Sequence, residues 1–327
     1  GKTTTTALLA HLLAAAGIGA AAVGNIGRAL AEYARAPGAE RWLALELSSF
    51  QLHDAHHLVA DTGILTNLAP DHLDRYPGIA DYYADKARLF GRGRAGTTWV
   101  TNLDDPAVQG MARGVRGVHR GFSLAGRADA WYDRGREVLV LDGHALLPRA
   151  DLPLLGDHNV ANALAALLAA VAAGADPAAL AAGLRTFRPM RHRLEPVGEA
   201  GGVLWINDSK ATNVASTEVA VRGMTRPFVL LLGGRHKGEP YTRLAGAAGE
   251  RCRAVIAFGE AGDRIEADLG ARLAIVRAGT FTEVMATARR LARPGDAVLL
   301  SPACSSYDMF RNYEERGAAF RAAVEAM

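Results

Sequence analysis

One pattern recurs along the 327 residues and limits the folds open to this chain. A short apolar run stops abruptly at polar residues, and a stretch with helical spacing follows, as at residues 42–47, 62–67 and 98–102. Such runs are typical of strands that are buried on both faces of a parallel sheet, with functional loops at their carboxyl ends. The pattern predicts an α/β protein whose chemistry is carried by the residues that follow the strands.

The chain is longer than a usual single domain, which favours two domains. Residues 121–147 carry an apolar Val-Leu-Val-Leu run and an Asp-Gly turn signal, which predict a β-hairpin excursion from a central, mostly parallel sheet. After residue 187 the alternation becomes regular, with strands expected at residues 203–206, 228–232, 254–258, 273–276 and 297–300. We predict a P-loop-type central domain over residues 1–187 and a Rossmann-like, doubly wound domain over residues 188–327.

Composition excludes several classes of partner. The 37 Lys and Arg side chains nearly balance the 34 Asp and Glu side chains and form no basic block, so we expect no nucleic-acid partner. The most apolar stretch, residues 163–175, is too short to span a bilayer, so it predicts a buried helix and no membrane partner. The only two cysteines, Cys252 and Cys304, are far apart and indicate a reducing, cytoplasmic location. We expect a monomer.

The first four residues, Gly1, Lys2, Thr3 and Thr4, open a stretch with helical spacing. They match the end of a P-loop, in which a glycine turn and a helix N-terminus cradle phosphates. Lys2 would then neutralise phosphate oxygens, and the Thr3 hydroxyl would take a position on Mg²⁺. An ordinary capped helix start explains the same four residues taken alone.

Two further segments carry metal-ligand chemistry. Glu46 ends an apolar run, where a carboxylate facing a P-loop is well placed to hold Mg²⁺. His72 follows the next predicted strand, between Asp71 and Asp74, as a candidate metal ligand or general base. A solvated strand-end glutamate and a hydrogen-bonded surface histidine are the commoner explanations of such residues.

Polar residues at two helix starts complete the candidate site. Asn159 and Asn162 lie three residues apart and share a helical face, from which amides bind adenine or phosphate without adding charge. Helix capping by Asp157 or Asn159 explains the same residues and is compatible with nucleotide binding. Lys210 follows another predicted strand and opens a helix, where the N-terminus reinforces attraction for an anion.

These segments, in this order, resemble the ATP-dependent Mur ligases. The matching strings are GKTT at residues 1–4, ELSSFQL at 46–52, the N-to-DHLD segment at 67–74, GDHNVAN at 156–162, NDSKATN at 207–213 and SPACSS at 301–306. The ELSSFQL and NDSKATN forms resemble the D-glutamate-adding branch in particular. The resemblance spans nearly all 327 residues and lacks the family's amino-terminal UDP-binding domain, so we expect poor or absent turnover from this chain alone.

The resemblance implies a set of roles around ATP. Glu46 and His72 would bind two Mg²⁺ ions, with Lys86, carbamylated by CO₂, helping to position the metal. Asn25 matches a loop near the UDP-linked substrate. The residues implied to contact ATP are Gly1, Lys2, Thr3, Thr4, Asn159, Asn162, Arg193 and Asp208.

The resemblance also implies an amino-acid site in the second domain. Lys210 and Thr212 would serve the place where phosphate and glutamate meet, while Lys237 and Ser306 would bind a glutamate carboxylate. Tyr313 stands where the family pattern has Phe, so its hydroxyl has no implied role. The implied catalytic residues are Lys2, Lys86, His72 and Lys210.

The implied reaction is ATP-driven amide synthesis, which joins D-glutamate to UDP-N-acetylmuramoyl-L-alanine through an acyl phosphate during peptidoglycan precursor synthesis. Three alternatives stay open. The first is another amino-acid ligase of the same superfamily, such as a folylpolyglutamate synthase or an L-glutamate-adding relative. The second is a P-loop switch ATPase with a macromolecular partner, and the third is a non-catalytic fragment. The switch ATPase leaves NDSKATN and SPACSS without a role.

Overall fold

The computed structural model describes residues 1–69 and 75–327. The chain divides into two compact units, of which unit 1 is Gly1–Pro153 with Asp157–Arg188 and unit 2 is Leu154–Gly156 with Pro189–Met327. Among the described residues, no helix combines the length and the apolar character needed to cross a membrane.

Unit 1 alternates helices and strands in its first half and ends in two helices. Its helices are α1 Lys2–Ala15, α2 Leu30–Arg35, α3 Ser49–Asp54, α4 Ile79–Ala87, α5 Pro106–Ala112, α6 Asp157–Ala172 and α7 Pro177–Thr186, with 3-10 turns at Arg88–Phe90 and Arg149–Asp151. Its strands are β1 Ala20–Gly24, β2 Trp42–Glu46, β3 Thr62–Leu65, β4 Thr98–Asn102, β5 Val118–Ser123, β6 Ala130–Asp133, β7 Val138–Leu141 and β8 His144–Pro148.

The strands of unit 1 form two sheets. Strands β1 and β2 pair in parallel, and a six-stranded sheet has the order β3-β4-β5-β6-β7-β8. Pairing is parallel from β3 to β6 and antiparallel from β6 to β8, so the predicted hairpin is the antiparallel edge of the main sheet. Its two-residue turn, Asp142 and Gly143, has positive φ at both positions, as the Asp-Gly signal predicts.

Helix α6 forms the centre of unit 1. Every residue from Ala163 to Ala170 is buried, and the helix packs against α1 and strands β3 to β7. The small alanine side chains let the helix lie close to the strands, while its three leucines fill the core and contribute about 1.5–3 kcal/mol each. The prediction of a buried helix here is confirmed.

In unit 2, strands and helices alternate more regularly than in unit 1. Its strands are β9 Glu195–Ala200, β10 Val203–Asn207, β11 Phe228–Gly233, β12 Cys252–Phe258, β13 Ile275–Ala278 and β14 Ala297–Leu300. Its helices are α8 Val214–Arg222, α9 Thr242–Ala248, α10 Gly262–Leu269, α11 Phe281–Leu291 and α12 Tyr313–Glu325, with a 3-10 turn at Gly249–Arg251.

The sheet of unit 2 has the order β13-β12-β11-β14-β10-β9 and is parallel except at β9. Both of its faces are covered. Along β11, Leu230 and Leu232 enter one apolar core while Val229 and Leu231 enter the other, because successive side chains of a strand point to opposite faces. The α/β class, the mostly parallel central sheet with a hairpin and the doubly wound second domain are confirmed.

Candidate active site

The first turn of α1 lies against α6. Gly1 precedes the helix, Lys2 is exposed, and the four threonines that follow are buried. A Cβ atom on Gly1 would collide with the side-chain oxygen of Asn162, so only glycine fits between the helix start and this amide. The backbone N–H groups of a helix start, together with an exposed lysine, form a surface that suits a phosphate.

The two predicted asparagines of α6 are linked to α1 by hydrogen bonds. The Thr5 hydroxyl donates to Asn162 Oδ1 at 3.2 Å, and Asn162 Nδ2 donates to Asn159 Oδ1 at 3.0 Å. Both asparagines are buried. The structure therefore brings Gly1, Asn159 and Asn162 together, and fixes the orientation of the amides.

Glu46 ends β2 with its carboxylate only 3% exposed. Asn25 donates to Oε1 at 3.3 Å through its side chain and to the Glu46 carbonyl oxygen at 2.9 Å through its backbone. Oε2 is buried and has no hydrogen-bond partner among the described residues. Leaving a buried charged oxygen unpaired is costly, and a cation is the ligand that offsets this cost. Glu46 therefore fits a metal ligand, and the structure places Asn25 beside it.

Lys86 lies in the last turn of α4, half-buried, with Nζ 4.7 Å from the centre of the Tyr82 ring. Its neighbour Asp85 is buried and accepts hydrogen bonds from His53 at 2.8 Å, Tyr76 at 3.1 Å and Arg88 at 3.0 Å. These bonds outweigh burial and hold the pKa of Asp85 below its usual value. Asp85 thus joins α3 to α4 and fixes the helix that carries Lys86.

The remaining predicted metal ligand, His72, lies outside the described residues. Within residues 1–69 and 75–327, no group of three or more His, Cys, Asp or Glu side chains is arranged to hold a metal ion. Of the predicted ligands in unit 1, the structure places Thr3 in the first turn of α1, Glu46 at the end of β2 and Lys86 in α4.

In unit 2, the carboxyl ends of three adjacent parallel strands, β11, β14 and β10, lie at one edge of the sheet. The loop after β10 begins at residue 208 and carries Lys210 and Thr212. The loop after β11 begins at residue 234 and carries Lys237. The loop after β14 begins at residue 301 and carries Ser306. The structure therefore brings the predicted amino-acid-binding segments to the same edge.

The segment before β9 has strained backbone. His192 and Leu194 have φ of 63° and 44°, which side chains rarely adopt. Buried hydrogen bonds hold this conformation. Glu195 accepts from the His192 N–H at 3.0 Å, Asn207 donates to His192 Nδ1 at 3.1 Å, and Asp208 accepts from the Leu194 N–H at 3.2 Å. Burial lowers the pKa of His192.

Asp208 is a buried carboxyl group that titrates near neutrality. Burial raises its pKa to about 7, although the Ser301 hydroxyl at 2.8 Å, the Leu194 N–H and the charge of Arg193 act in the opposite direction. Arg193 is half-buried, and its charge also acts on Tyr313, where it opposes the increase in the pKa of the phenol that burial and Glu314 cause. Arg193, Asp208 and Tyr313 are thus electrostatic neighbours.

Lys210 is bound to the residue that departs from the family pattern. Its Nζ donates to the Tyr313 hydroxyl at 2.9 Å and lies 4.9 Å from the ring centre. Burial and a hydrogen bond to Glu314 raise the pKa of Tyr313 to about 12, so the phenol stays neutral. The Ser209 hydroxyl donates to the Tyr313 carbonyl oxygen at 2.8 Å. The added hydroxyl of Tyr313 therefore fixes the position of the Lys210 ammonium.

The strand β11 ends at Gly233 and its loop begins at Gly234, where another chain segment approaches closely. Gly234 has φ of 130°, and a Cβ there would collide with the Ser305 carbonyl oxygen. That oxygen accepts the Arg235 N–H at 2.8 Å, which ties this loop to the loop after β14. Lys237 lies exposed on the first loop, and Ser306 is buried on the second.

Lysine is rare in this chain, and its distribution is informative. The 37 cationic side chains include only four lysines, Lys2, Lys86, Lys210 and Lys237, and all the others are arginines. Each of the four is a predicted site residue. Lysine supplies a compact ammonium or a reactive amine, which the planar guanidinium of arginine does not.

The sequence did not identify the buried residues of unit 2 that support the loops of the site. Arg316 of α12 is fully buried, and Glu195 and Asn207 hold the strained segment before β9. A signal for Arg316 exists in the sequence, because it lies four residues before Phe320 and eight before Val324 on the apolar stripe of α12.

Comparison with known proteins gives two family matches. The Mur ligase middle domain matches residues 1–170, and the Mur ligase glutamate ligase domain matches residues 192–304.

Curated relatives extend both matches. The UDP-N-acetylmuramoylalanine–D-glutamate ligase of Chromobacterium violaceum is 45% identical over 335 residues, which covers 100% of this chain and 73% of the relative. The ligase of the same name from Myxococcus xanthus is 40% identical and covers 100% of this chain and 74% of the relative.

Solved structures share the fold at lower identity. A pseudomurein peptide ligase type C from Methanothermus fervidus has a TM-score of 0.75 at 16% identity, over 99% of this chain and 76% of that one. MurF from Acinetobacter baumannii has a TM-score of 0.74 at 15% identity, over 100% of this chain and 75% of that one.

Proposed function

The chain belongs to the Mur ligase family, and within it to the UDP-N-acetylmuramoylalanine–D-glutamate ligases, so we propose that it joins D-glutamate to UDP-N-acetylmuramoyl-L-alanine with ATP. In this proposal unit 1 binds ATP and Mg²⁺, and unit 2 binds the amino acid. The chain spans about 73% of the C. violaceum relative, and the remaining part of such a ligase would bind the UDP moiety. Cys252 and Cys304 are both free thiols, which supports a reducing, cytoplasmic location.

The first step makes an acyl phosphate. A carboxylate oxygen of the acceptor attacks the γ-phosphorus of ATP, the bond from phosphorus to the ADP oxygen breaks, and ADP leaves. Lys2 and the N-terminal N–H groups of α1 neutralise charge that develops on the phosphate oxygens. Asn159 and Asn162 bind the nucleotide with amides that are already oriented by Thr5. Preorganised donors of this kind do not have to reorient during the reaction.

Glu46 is the residue of unit 1 that best fits a Mg²⁺ ligand, because its buried Oε2 atom lacks a partner among the described residues. We propose that Thr3, Glu46, His72 and carbamylated Lys86 hold two metal ions. When bound, Mg²⁺ would neutralise phosphate charge and favour in-line transfer.

The second step forms the amide. The amine of D-glutamate attacks the acyl carbon, the carbon–oxygen bond to phosphate breaks, and the amine releases a proton. Lys210, held by the Tyr313 hydroxyl, stabilises the leaving phosphate. We propose that Lys237, Ser306 and Thr212 bind the glutamate carboxylates.

Unit 2 also contributes residues that we assign to the nucleotide. Asp208 would accept a hydrogen bond from the ribose, and Arg193 would pair with phosphate oxygens. Asn25, which is bound to Glu46, would lie beside the acceptor.

The distribution of lysine is the observation that carries this proposal. A chain that uses arginine for nearly all its cations keeps lysine at four positions, two in each unit. All four are positions at which phosphate, carbamate or carboxylate chemistry is proposed. A P-loop switch ATPase would explain Lys2 and leave the other three without a role.

Substrate dependence tests the proposed function. We expect ADP release by the full-length gene product to require both UDP-N-acetylmuramoyl-L-alanine and D-glutamate, with kcat/KM for L-glutamate lower by about 100-fold or more. The measurement is coupled ADP release with each glutamate enantiomer. A preference for L-glutamate would indicate another ligase of the superfamily, and ATP turnover that is independent of glutamate would contradict the ligase assignment.

We further propose that Lys86 carries a carbamate. Its neutral amine would add to CO₂, forming a nitrogen–carbon bond, releasing a proton and creating the anionic oxygen that Mg²⁺ prefers. The Tyr82 ring shields one side of this amine, and Asp85 fixes its helix. We expect protein equilibrated with ¹³C-bicarbonate to show a carbamate signal in ¹³C NMR that Lys86→Arg removes. Lys237→Arg is the matched control, because both variants keep the α-amino group, which also reacts with CO₂. A spectrum of Lys86→Arg that has lost no signal relative to Lys237→Arg would contradict the assignment.

A further inference from the structure

Arg316 is the most unusual charged residue of unit 2. It lies on the inner face of α12 with no exposed surface, yet among the described residues its guanidinium has no hydrogen bond to an Asp or Glu. Its guanidinium donates instead to four oxygens: Ser209 Oγ at 3.0 Å, the Ser209 carbonyl at 2.9 Å, the Cys304 carbonyl at 3.1 Å and the Gly233 carbonyl at 3.4 Å.

The four acceptors belong to the segments at the ends of three strands. Ser209 follows β10, Gly233 ends β11, and Cys304 follows β14. The proposed amino-acid contacts lie one to four residues further along the chain from these acceptors, at Lys210, Lys237 and Ser306. One planar guanidinium therefore sets the separation of all three segments, because its donors have a fixed geometry. Gly234 adds to this restraint, since a Cβ there would lie 3.1 Å from Arg316 Nη1.

Arg316 also keeps its positive charge although it is buried. Burial lowers the pKa of its guanidinium to about 10, while the nearby Cys304 and Asp308 raise it, so the group remains a cation at neutral pH. Carbonyl dipoles and the nearby charge of Asp308 offset this charge. In a low-dielectric interior a fixed charge acts over a longer distance than in water, so the loop edge above Arg316 favours anions.

We propose that Arg316 is a positioning residue of the amino-acid site, which holds the three loops in register and makes the site selective for a dicarboxylic amino acid. The identity of the ligand in this inference rests on the proposed function, whereas the restraint on the three loops does not. Arg316 does not contact the substrate, because it is buried beneath the loops.

Two variants separate charge from geometry. Arg316→Met removes the charge and all donors, and Arg316→Lys keeps the charge with fewer, differently placed donors. In the full-length gene product we expect KM for D-glutamate to rise about 100-fold in the Met variant and about tenfold in the Lys variant. We expect kcat to fall by less than KM rises, because of the three loops only the one after β10 carries a residue, Lys210, that is proposed to touch the reacting atoms. Arg311→Met, an exposed arginine just before α12, is the matched control and should leave both constants unchanged.

A second readout does not depend on glutamate chemistry. Hydrogen exchange without substrates should show faster exchange at the backbone amides of Arg235, Lys210 and Ala303 together in Arg316→Lys. In the native fold these three amides donate to backbone carbonyl oxygens, those of Ser305, His192 and Ala211 respectively. A fall in kcat at constant KM, or protection that is unchanged in the three loops, would overturn the proposal. Loosened loops in a protein without glutamate-dependent turnover would instead contradict the proposed function and leave the loop restraint intact.

Discussion

Replacement of Glu46 by Gln is expected to remove most ATP-driven turnover while it raises the thermal stability measured without Mg²⁺. The Glu46 carboxylate is buried, and its Oε2 atom has no partner among the described residues. An unpaired buried charge costs several kcal/mol, whereas an unpaired amide costs about 1–3 kcal/mol, so the variant should gain about 1 kcal/mol or more. Loss of a metal-binding carboxylate should lower kcat by about 10²–10³-fold.

The decisive measurement is thermal unfolding with and without Mg²⁺. A ligand that binds the folded state raises stability by mass action, so adding Mg²⁺ to protein that already holds ATP should raise the Tm of the native protein and not that of Glu46→Gln. Glu32→Gln, an exposed glutamate of α2 in the same unit, is the control and should leave turnover and the Mg²⁺ response unchanged. Equal stabilisation of Glu46→Gln and native protein by Mg²⁺ would exclude Glu46 from the metal site.

Strand ends are the part of this site that the sequence predicts well. A strand that is buried on both faces has to be apolar, so its end is visible wherever polar residues begin. The sequence predicts Glu46 at such an end and a strand over residues 203–206, just before Asp208. The structure has β2 end at Glu46 and β10 end one residue before Asp208. The Asp142–Gly143 turn was equally readable, because few residues other than Gly, Asn and Asp accept positive φ.

The support beneath the loops was only partly predictable from the sequence. The apolar stripe of α12 indicates that Arg316 faces inward, but only the packing of α12 shows that its guanidinium binds three loops. The function of the Tyr313 hydroxyl likewise depends on Lys210, which is far from it in sequence. Such contacts arise from the convergence of distant segments, for which hydrophobic periodicity gives no signal.

The same limit applies to the protonation of Asp208. Its position after a strand is readable, but its pKa depends on burial, which raises it to about 7. The carboxyl group of an unfolded chain has a pKa of about 3.9. Between these values the folded protein keeps a proton that the unfolded chain has lost. The free energy of unfolding therefore falls as pH rises from about 4 to about 7, by about 1.4 kcal/mol per pH unit and about 4 kcal/mol in all.

The substitution Asp208→Asn should remove this decrease in the free energy of unfolding with rising pH. The amide oxygen can still accept from the Leu194 N–H, and the Ser301 hydroxyl can turn its proton toward the Thr217 hydroxyl, 3.1 Å away, and accept from the new amide. We expect the variant and the native protein to have similar stability near pH 4.5. Near pH 8 the variant should be more stable by about 2–4 kcal/mol, although its affinity for ATP should fall if Asp208 binds the ribose.

Asp296→Asn provides a control of opposite sign in the same unit. Hydrogen bonds from Arg253, at 3.0 Å and 2.6 Å, outweigh burial and hold the pKa of Asp296 below its usual value, so its contribution to stability is present above about pH 4 and lost in acid. Asp296→Asn should therefore destabilise unit 2 near pH 8, where Asp208→Asn stabilises it. Hydrogen exchange of the β10 and β14 amides at the two pH values measures the unfolding free energy of this unit. If Asp208→Asn kept the pH dependence of the native protein, Asp208 would not be the group that is protonated on folding.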